Sequence, residues 1–139
     1  MSRFVLDCSV AMGWCFLDEV SPYAASVLRA MSSMEALVPA IWSLEVSNAI
    51  LVGERRGRLT EAESAKFVSL VRSLPIEVTS TPMRHVLSEV LSVARRNSLT
   101  SYDASYLELA MREGLPLATL DDKLRAAAQK LGIKELRIP

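Results

Sequence analysis

Phe4-Val5-Leu6-Asp7-Cys8-Ser9 is an apolar run near the start of the chain that stops on a carboxylate. Consecutive apolar residues with β-favouring Phe and Val predict a strand buried on both faces, as found in the middle of a parallel sheet. Asp7 then stands at that strand's carboxyl end, the edge outside which open α/β sheets bind their ligands. A carboxylate there does little for folding and costs several kcal/mol if buried without a partner. It is therefore the first candidate for a site.

Outward from this strand, the chain alternates short strands with helices. Ser9 and the run Val10 to Leu17 predict a short apolar helix broken at Asp18-Glu19. Ser21-Pro22 restarts a helix, serine as N-cap and proline at the first position, with Ala25, Val27, Leu28 and Met31 as its stripe. Ala36-Leu37-Val38 is a second strand closed by Pro39, and Ile41 to Glu54 is a helix so apolar all round that it is expected to be buried, with Glu45 as its anomaly. Thr60-Glu61-Ala62-Glu63 is a capping box opening a helix that Pro75 ends. Ile76 to Thr79 is a third strand, and Pro82 introduces a helix through Val86, Leu87, Val90, Leu91 and Ala94 to Arg95-Arg96. Thr100-Ser101-Tyr102-Asp103 opens a helix that buries Tyr106, Leu107, Leu109 and Ala110 and stops at Gly114. Pro116 to Thr119 is a fourth strand, Asp121 or Asp122 caps a last helix, and Ile133 to Ile138 can supply an edge strand. The alternation predicts an α/β protein, an α/β/α sandwich on a mostly parallel sheet, with residues 1–139 forming a single domain.

Sixteen lysines and arginines balance sixteen aspartates and glutamates, which excludes a global field drawing the chain to nucleic acid or anionic membrane. Any nucleic-acid contact must be local. Half the residues are hydrophobic, an excess that predicts apolar surface for a partner, placed by Met12, Trp14, Phe16 and Trp42 near the acidic edge. Cys8 and Cys15 are the only cysteines and are expected to be reduced core residues of a cytoplasmic protein. No apolar segment approaches the roughly 18 residues that span a bilayer, so no membrane association is expected.

Four acids need joint explanation. Asp121 can simply cap a helix, Asp103 can close a capping box, and Glu45 can pair with Arg29 or Arg84. Yet Asp7, Asp103 and Asp121 all fall at strand carboxyl ends or helix N-termini, which share one edge of such a sheet. Each like-charged pair at about 4 Å costs on the order of 4 kcal/mol at an effective dielectric near 20, so a shared pocket calls for a cation. Oxygen-only donors suit hard ions. His85, the single histidine, offers no zinc set and is expected as a surface or core residue. Mg²⁺ or Mn²⁺ fits the donors, and phosphodiester hydrolysis is the chemistry such ions support.

Val5-Leu6-Asp7-Cys8-Ser9, Val38 to Ala49 around Glu45, Leu99-Thr100-Ser101-Tyr102-Asp103-Ala104 and Leu117-Ala118-Thr119-Leu120-Asp121, in this order, resemble the motifs of the PIN-domain family, and more narrowly of VapC-like toxins of type II toxin-antitoxin pairs. The resemblance spans Phe4 to Ile138. It implies strand order 3-2-1-4-5 and a Mg²⁺- or Mn²⁺-dependent endoribonuclease. Asp7, Glu45 and Asp103 match the family's three core acids, Asp121 its more variable fourth, and Ser9 and Thr119 its supporting hydroxyls. The implied roles put Asp7, Asp103 and Asp121 on the metal and give Glu45 the attacking water. Asp121 is preferred to Asp122 because it would share a strand face with Thr119 if the fourth strand runs that far. Arg55, Arg56, Arg58, Arg95, Arg96 and Lys123 are candidate phosphate contacts, or else solvated helix ends. A homodimer and a cognate antitoxin, its arginine reaching into the acidic pocket, complete the expectation. Two rivals remain. A haloacid-dehalogenase-like phosphatase shares the first acid and the late Asp-Asp pair but needs a general acid where Ser9 stands, and a PIN fold can also serve as a non-catalytic binding module.

Overall fold

A computed structural model describes residues 2–139. β1 (Ser2–Leu6), β2 (Met34–Pro39), β3 (Ile76–Thr79) and β4 (Leu117–Ala118) form a sheet in the order β3-β2-β1-β4. Every pairing is parallel, with Val5 opposite both Leu37 and Leu117. β1 is thus central, and Phe4, Val5 and Leu6 are fully buried. The expected fifth strand is reduced to one parallel bridge, Leu117 to Glu135. The Leu117 N–H donates to the Lys134 carbonyl at 2.9 Å and the Leu136 N–H to the Leu117 carbonyl at 2.8 Å. With only two residues in β4, no longer ladder forms beside it.

Among the described residues eight α-helical segments surround the sheet: α1 (Cys8–Cys15), α2 (Pro22–Ala30), α3 (Ile41–Arg55), α4 (Glu61–Ser73), α5 (Met83–His85), α6 (Leu91–Asn97), α7 (Ser101–Glu113) and α8 (Asp122–Lys130). Ser21 caps α2 with Pro22 inside its first turn, and Thr60 and Glu63 close the expected capping box on α4. Of the expected stripe of α2, Val27 and Met31 are buried and Leu28 packs against the core, while Ala24 and not Ala25 completes it.

α3 departs from expectation. It buries Trp42, Val46 and Gly53 but leaves Leu44 and Leu51 exposed, so its apolar circumference reflects more than core packing. Its fit is closest at Gly53, where a Cβ would stand 2.8 Å from the Phe16 ring. The helix expected after Pro82 is interrupted by a π-helical turn, Val86–Val90, between α5 and α6. The wider turn rotates what precedes it, so Val90 and Ala94 are buried while Leu87 faces solvent. Met12 is partly buried, and Trp14, Phe16 and Trp42 belong to the core. They are not the spare apolar surface the sequence suggested. Trp14 ties α1 to α2 through its indole N–H, which donates to the Ala24 carbonyl at 2.7 Å.

Candidate active site

The parallel register brings the carboxyl ends of β1 and β4 side by side, and the Asp7 N–H donates to the Ala118 carbonyl at 3.0 Å. Asp7 therefore emerges next to Thr119. Ser9, in the first turn of α1, lies against both. The hydroxyls of Ser9 and Thr119 donate to the same carboxylate oxygen, Asp7 Oδ2, at 2.6 and 2.7 Å. Each hydroxyl is aimed by a backbone donor, since Leu120 N–H bonds Ser9 Oγ at 2.9 Å and Asp121 N–H bonds Thr119 Oγ1 at 3.0 Å. A hydroxyl has one proton, so accepting from the main chain directs that proton to Asp7. Oδ1 takes part in neither bond.

Asp7 is 6 % exposed, and burial holds its carboxyl above the usual carboxylate range, against the lowering effect of the two hydroxyls and with help from Asp103 and Asp121. Glu45, one turn into α3, is raised by burial first and then by Asp7 and Asp103. Asp103 is raised by burial and by Asp121, and lowered by Lys123. The four expected acids thus act on one another electrostatically at one edge of the sheet. Cys8 is pushed up to about 12 by burial, Glu45 and Asp7, so its thiol stays protonated and is no nucleophile here.

The competing local roles separate cleanly. Thr100 caps α7 by accepting the Asp103 backbone N–H at 3.1 Å, and the reciprocal side-chain bond made by Glu63 on α4 has no counterpart here. The Asp103 carboxylate is free of the cap. Asp121 does cap α8, its Oδ1 accepting from the Leu124 N–H at 3.0 Å, which leaves Oδ2. Asp122 is 97 % exposed and pairs with Arg125 at 2.6 Å, so it points away from the site. Glu45 pairs with neither Arg29 nor Arg84; its Oε1 accepts the Tyr106 hydroxyl.

Of the candidate phosphate contacts, Lys123 acts on Asp103. Arg58 is occupied, pairing with Asp18 and Glu19 and lying 4.1 Å over the Phe16 ring. Arg55 and Arg56 are exposed at the far end of α3, ten residues and about 15 Å along the axis from Glu45. Arg95 and Arg96 are exposed in the last turn of α6. His85 lies against buried Glu108, its Nε2 2.9 Å from Oε2. Sequence reasoning assigned Tyr106 to the core alone. Its place one turn beyond Asp103 on α7 was the available signal.

Among the described residues no three Asp, Glu, His or Cys side chains are drawn together tightly enough to hold one ion between them. The donor chemistry nonetheless fits a hard divalent cation: the donors are carboxylate oxygens only, Asp7, Glu45 and Asp103 are raised by burial first and by neighbouring acids second, and Lys123 acts on Asp103.

The sequence profile of the PIN domain matches residues 4–130. The chain belongs to the PIN-domain family. Among its PIN-family relatives is Ribonuclease VapC3 of Mycobacterium tuberculosis, 36% identical over 105 residues that make up 73% of this chain and 72% of the relative. PAE2754 from Pyrobaculum aerophilum, a solved structure, superposes with a TM-score of 0.68 at 28% identity, covering 91% of this chain and 86% of that one. VapBC2 from Rickettsia felis, solved with a fragment of promoter DNA, shares the fold with a TM-score of 0.66 at 12% identity, covering 99% of each chain. Membership of the PIN family removes the phosphatase alternative.

Proposed function

We propose that this PIN-domain chain is a Mg²⁺- or Mn²⁺-dependent endoribonuclease, the toxin of a toxin-antitoxin pair acting in the cytoplasm. The observation that carries the reading is Asp7, held by two hydroxyls on one oxygen, its carboxyl raised by burial and further by Asp103 and Asp121. Such an arrangement is costly for folding and useful for binding a cation. The name of the M. tuberculosis relative, a ribonuclease, supports the same chemistry.

Asp7, Asp103 and Asp121 would hold the ion, which supplies charge for the scissile phosphate and lowers the pKa of water. Asp7 offers Oδ1 and Asp121 Oδ2, the oxygens free of the hydroxyl and cap bonds. Glu45 positions the attacking water and accepts its proton at Oε2, Oε1 being engaged by Tyr106. In the reaction that the family resemblance implies, attack at phosphorus breaks the bond to the 3′-oxygen, which takes a proton from solvent, and leaves a 5′-phosphate and a 3′-hydroxyl. The reading gives the substrate's phosphate to Lys123, whose charge acts on Asp103.

The reading includes two protein partners, a small antitoxin and a second copy of the chain. Leu44, Met83, Leu87 and Tyr102 are among the large apolar groups left in solvent and available to them. Among the described residues no helix is long and apolar enough to cross a membrane.

The test is cleavage of total cellular RNA by antitoxin-free protein with Mg²⁺ or Mn²⁺. Asp7→Asn and Asp103→Asn keep the shape and remove a ligand charge, and each is expected to lower the rate by at least about 10²-fold, the scale of a lost electrostatic contribution. Equal cleavage by wild type and both variants would rule out these acids as the site and leave the non-catalytic module.

A further inference from the structure

We infer that Tyr106 is a positioning residue for Glu45. The inference rests on the nuclease reading and adds to it a residue outside the expected acids and hydroxyls. Tyr106 is the largest fully buried side chain of the protein, at 0 % exposure, and its ring is fixed in the core between α7 and the sheet. A buried phenol must hydrogen-bond, and the acceptor of this one is Glu45 Oε1 on α3. The bond joins the two helices that carry Glu45 and Asp103, at positions one turn apart on α7.

Three consequences follow from that geometry. Burial and the neighbouring carboxylate raise the phenol's pKa, so Tyr106 remains a donor wherever the protein is folded. Donation to Oε1 fixes the carboxylate plane and leaves Oε2 as the oxygen that can take a proton from water. A bond to the charged form also favours the ionised Glu45 that a base requires, against burial and against Asp7 and Asp103. Tyr106 touches no reacting atom and acts through Glu45 alone.

That restriction makes a double-mutant cycle decisive. Tyr106→Phe retains the buried ring and deletes only the hydroxyl. Initial rates on total cellular RNA with saturating Mn²⁺ are compared for wild type, Tyr106→Phe, Glu45→Gln and the double variant, with Asp7→Asn as control and thermal melting as the check on folding. Tyr106→Phe is expected to melt as a folded protein and to cleave about 10- to 100-fold more slowly, the scale of a misplaced catalytic group. In the Glu45→Gln background the same substitution is expected to change the rate less than twofold. Full activity of Tyr106→Phe, or an equal loss in both backgrounds, overturns the positioning role while loss in Asp7→Asn leaves the nuclease reading standing. Unchanged cleavage by Asp7→Asn overturns the nuclease reading and this inference with it.

Discussion

Thr119 gives its single hydroxyl proton to Asp7 and takes the Asp121 N–H in return, so one buried side chain orients the first acid and the turn that carries the fourth. Thr119→Val keeps the shape and removes both bonds. Burial then raises the Asp7 carboxyl with one fewer hydrogen bond opposing it, so the acid limb of the pH-rate profile is expected to move to higher pH. Stability should fall by about 1–3 kcal/mol for the unpaired buried groups. Thr119→Ser should recover most of both effects, and a profile unchanged in Thr119→Val would show that Asp7 does not depend on this hydroxyl. Ser9 and Thr119 were legible only through their place in family-like motifs, because a hydroxyl two residues from an acid has many possible partners. Tyr106 was legible as core and not as a donor, since nothing in its local sequence marks Glu45, 61 residues away, as its acceptor.

Among the elements, those that announced themselves have local causes. Ser21-Pro22, Thr60 with Glu63, and Thr100 all cap the helices they were expected to cap. Thr60→Ala on α4 removes the reciprocal pair and is expected to cost about 1 kcal/mol in denaturant unfolding with RNA cleavage unchanged, since α4 carries none of the four acids. A loss of cleavage matching the loss at Asp7 would mean that α4 takes part in the site. The π turn at Val86–Val90 was not legible, because Val86, Leu87, Val90, Leu91 and Ala94 fit an uninterrupted helix as well. The exposure of Leu44 on α3, 67 %, was missed for a related reason. Apolar residues on every side of a helix mean burial only if the fold supplies neighbours on every side, which periodicity cannot report.

At the scale of the molecule, strand order β3-β2-β1-β4 follows from family-like motifs and the fully buried Phe4-Val5-Leu6, whereas the length of the fifth strand depended on how far β4 runs. The apolar excess was legible in amount but not in place, because Trp14, Phe16 and Trp42 are taken up by the core, where Trp14 bonds the main chain of α2 and the Phe16 ring packs against Gly53 of α3. Clustered acids also shape the pH dependence of stability. Asp7, Glu45 and Asp103 are raised in the folded state, which therefore binds more protons than the unfolded chain between about pH 4, the unfolded carboxylate value, and the raised folded values. Stability from these groups is fully present below that window and is lost as pH rises through the folded values, the reverse of a salt-bridged aspartate. Metal-free protein at neutral pH is expected to be destabilised by these buried acids, and Asp103→Asn is expected to relieve part of that cost without touching the cap, which uses the backbone N–H. The measurement that tests the shared cation site most directly is the melting temperature at pH 7 of wild type and Asp103→Asn, in EDTA and in Mg²⁺. Asp103→Asn should melt higher than wild type in EDTA, and Mg²⁺ should raise wild type more than the variant, because the ion binds only the folded state. Wild type melting higher than Asp103→Asn in EDTA, with no shift of either by Mg²⁺, would contradict a common site for the four acids.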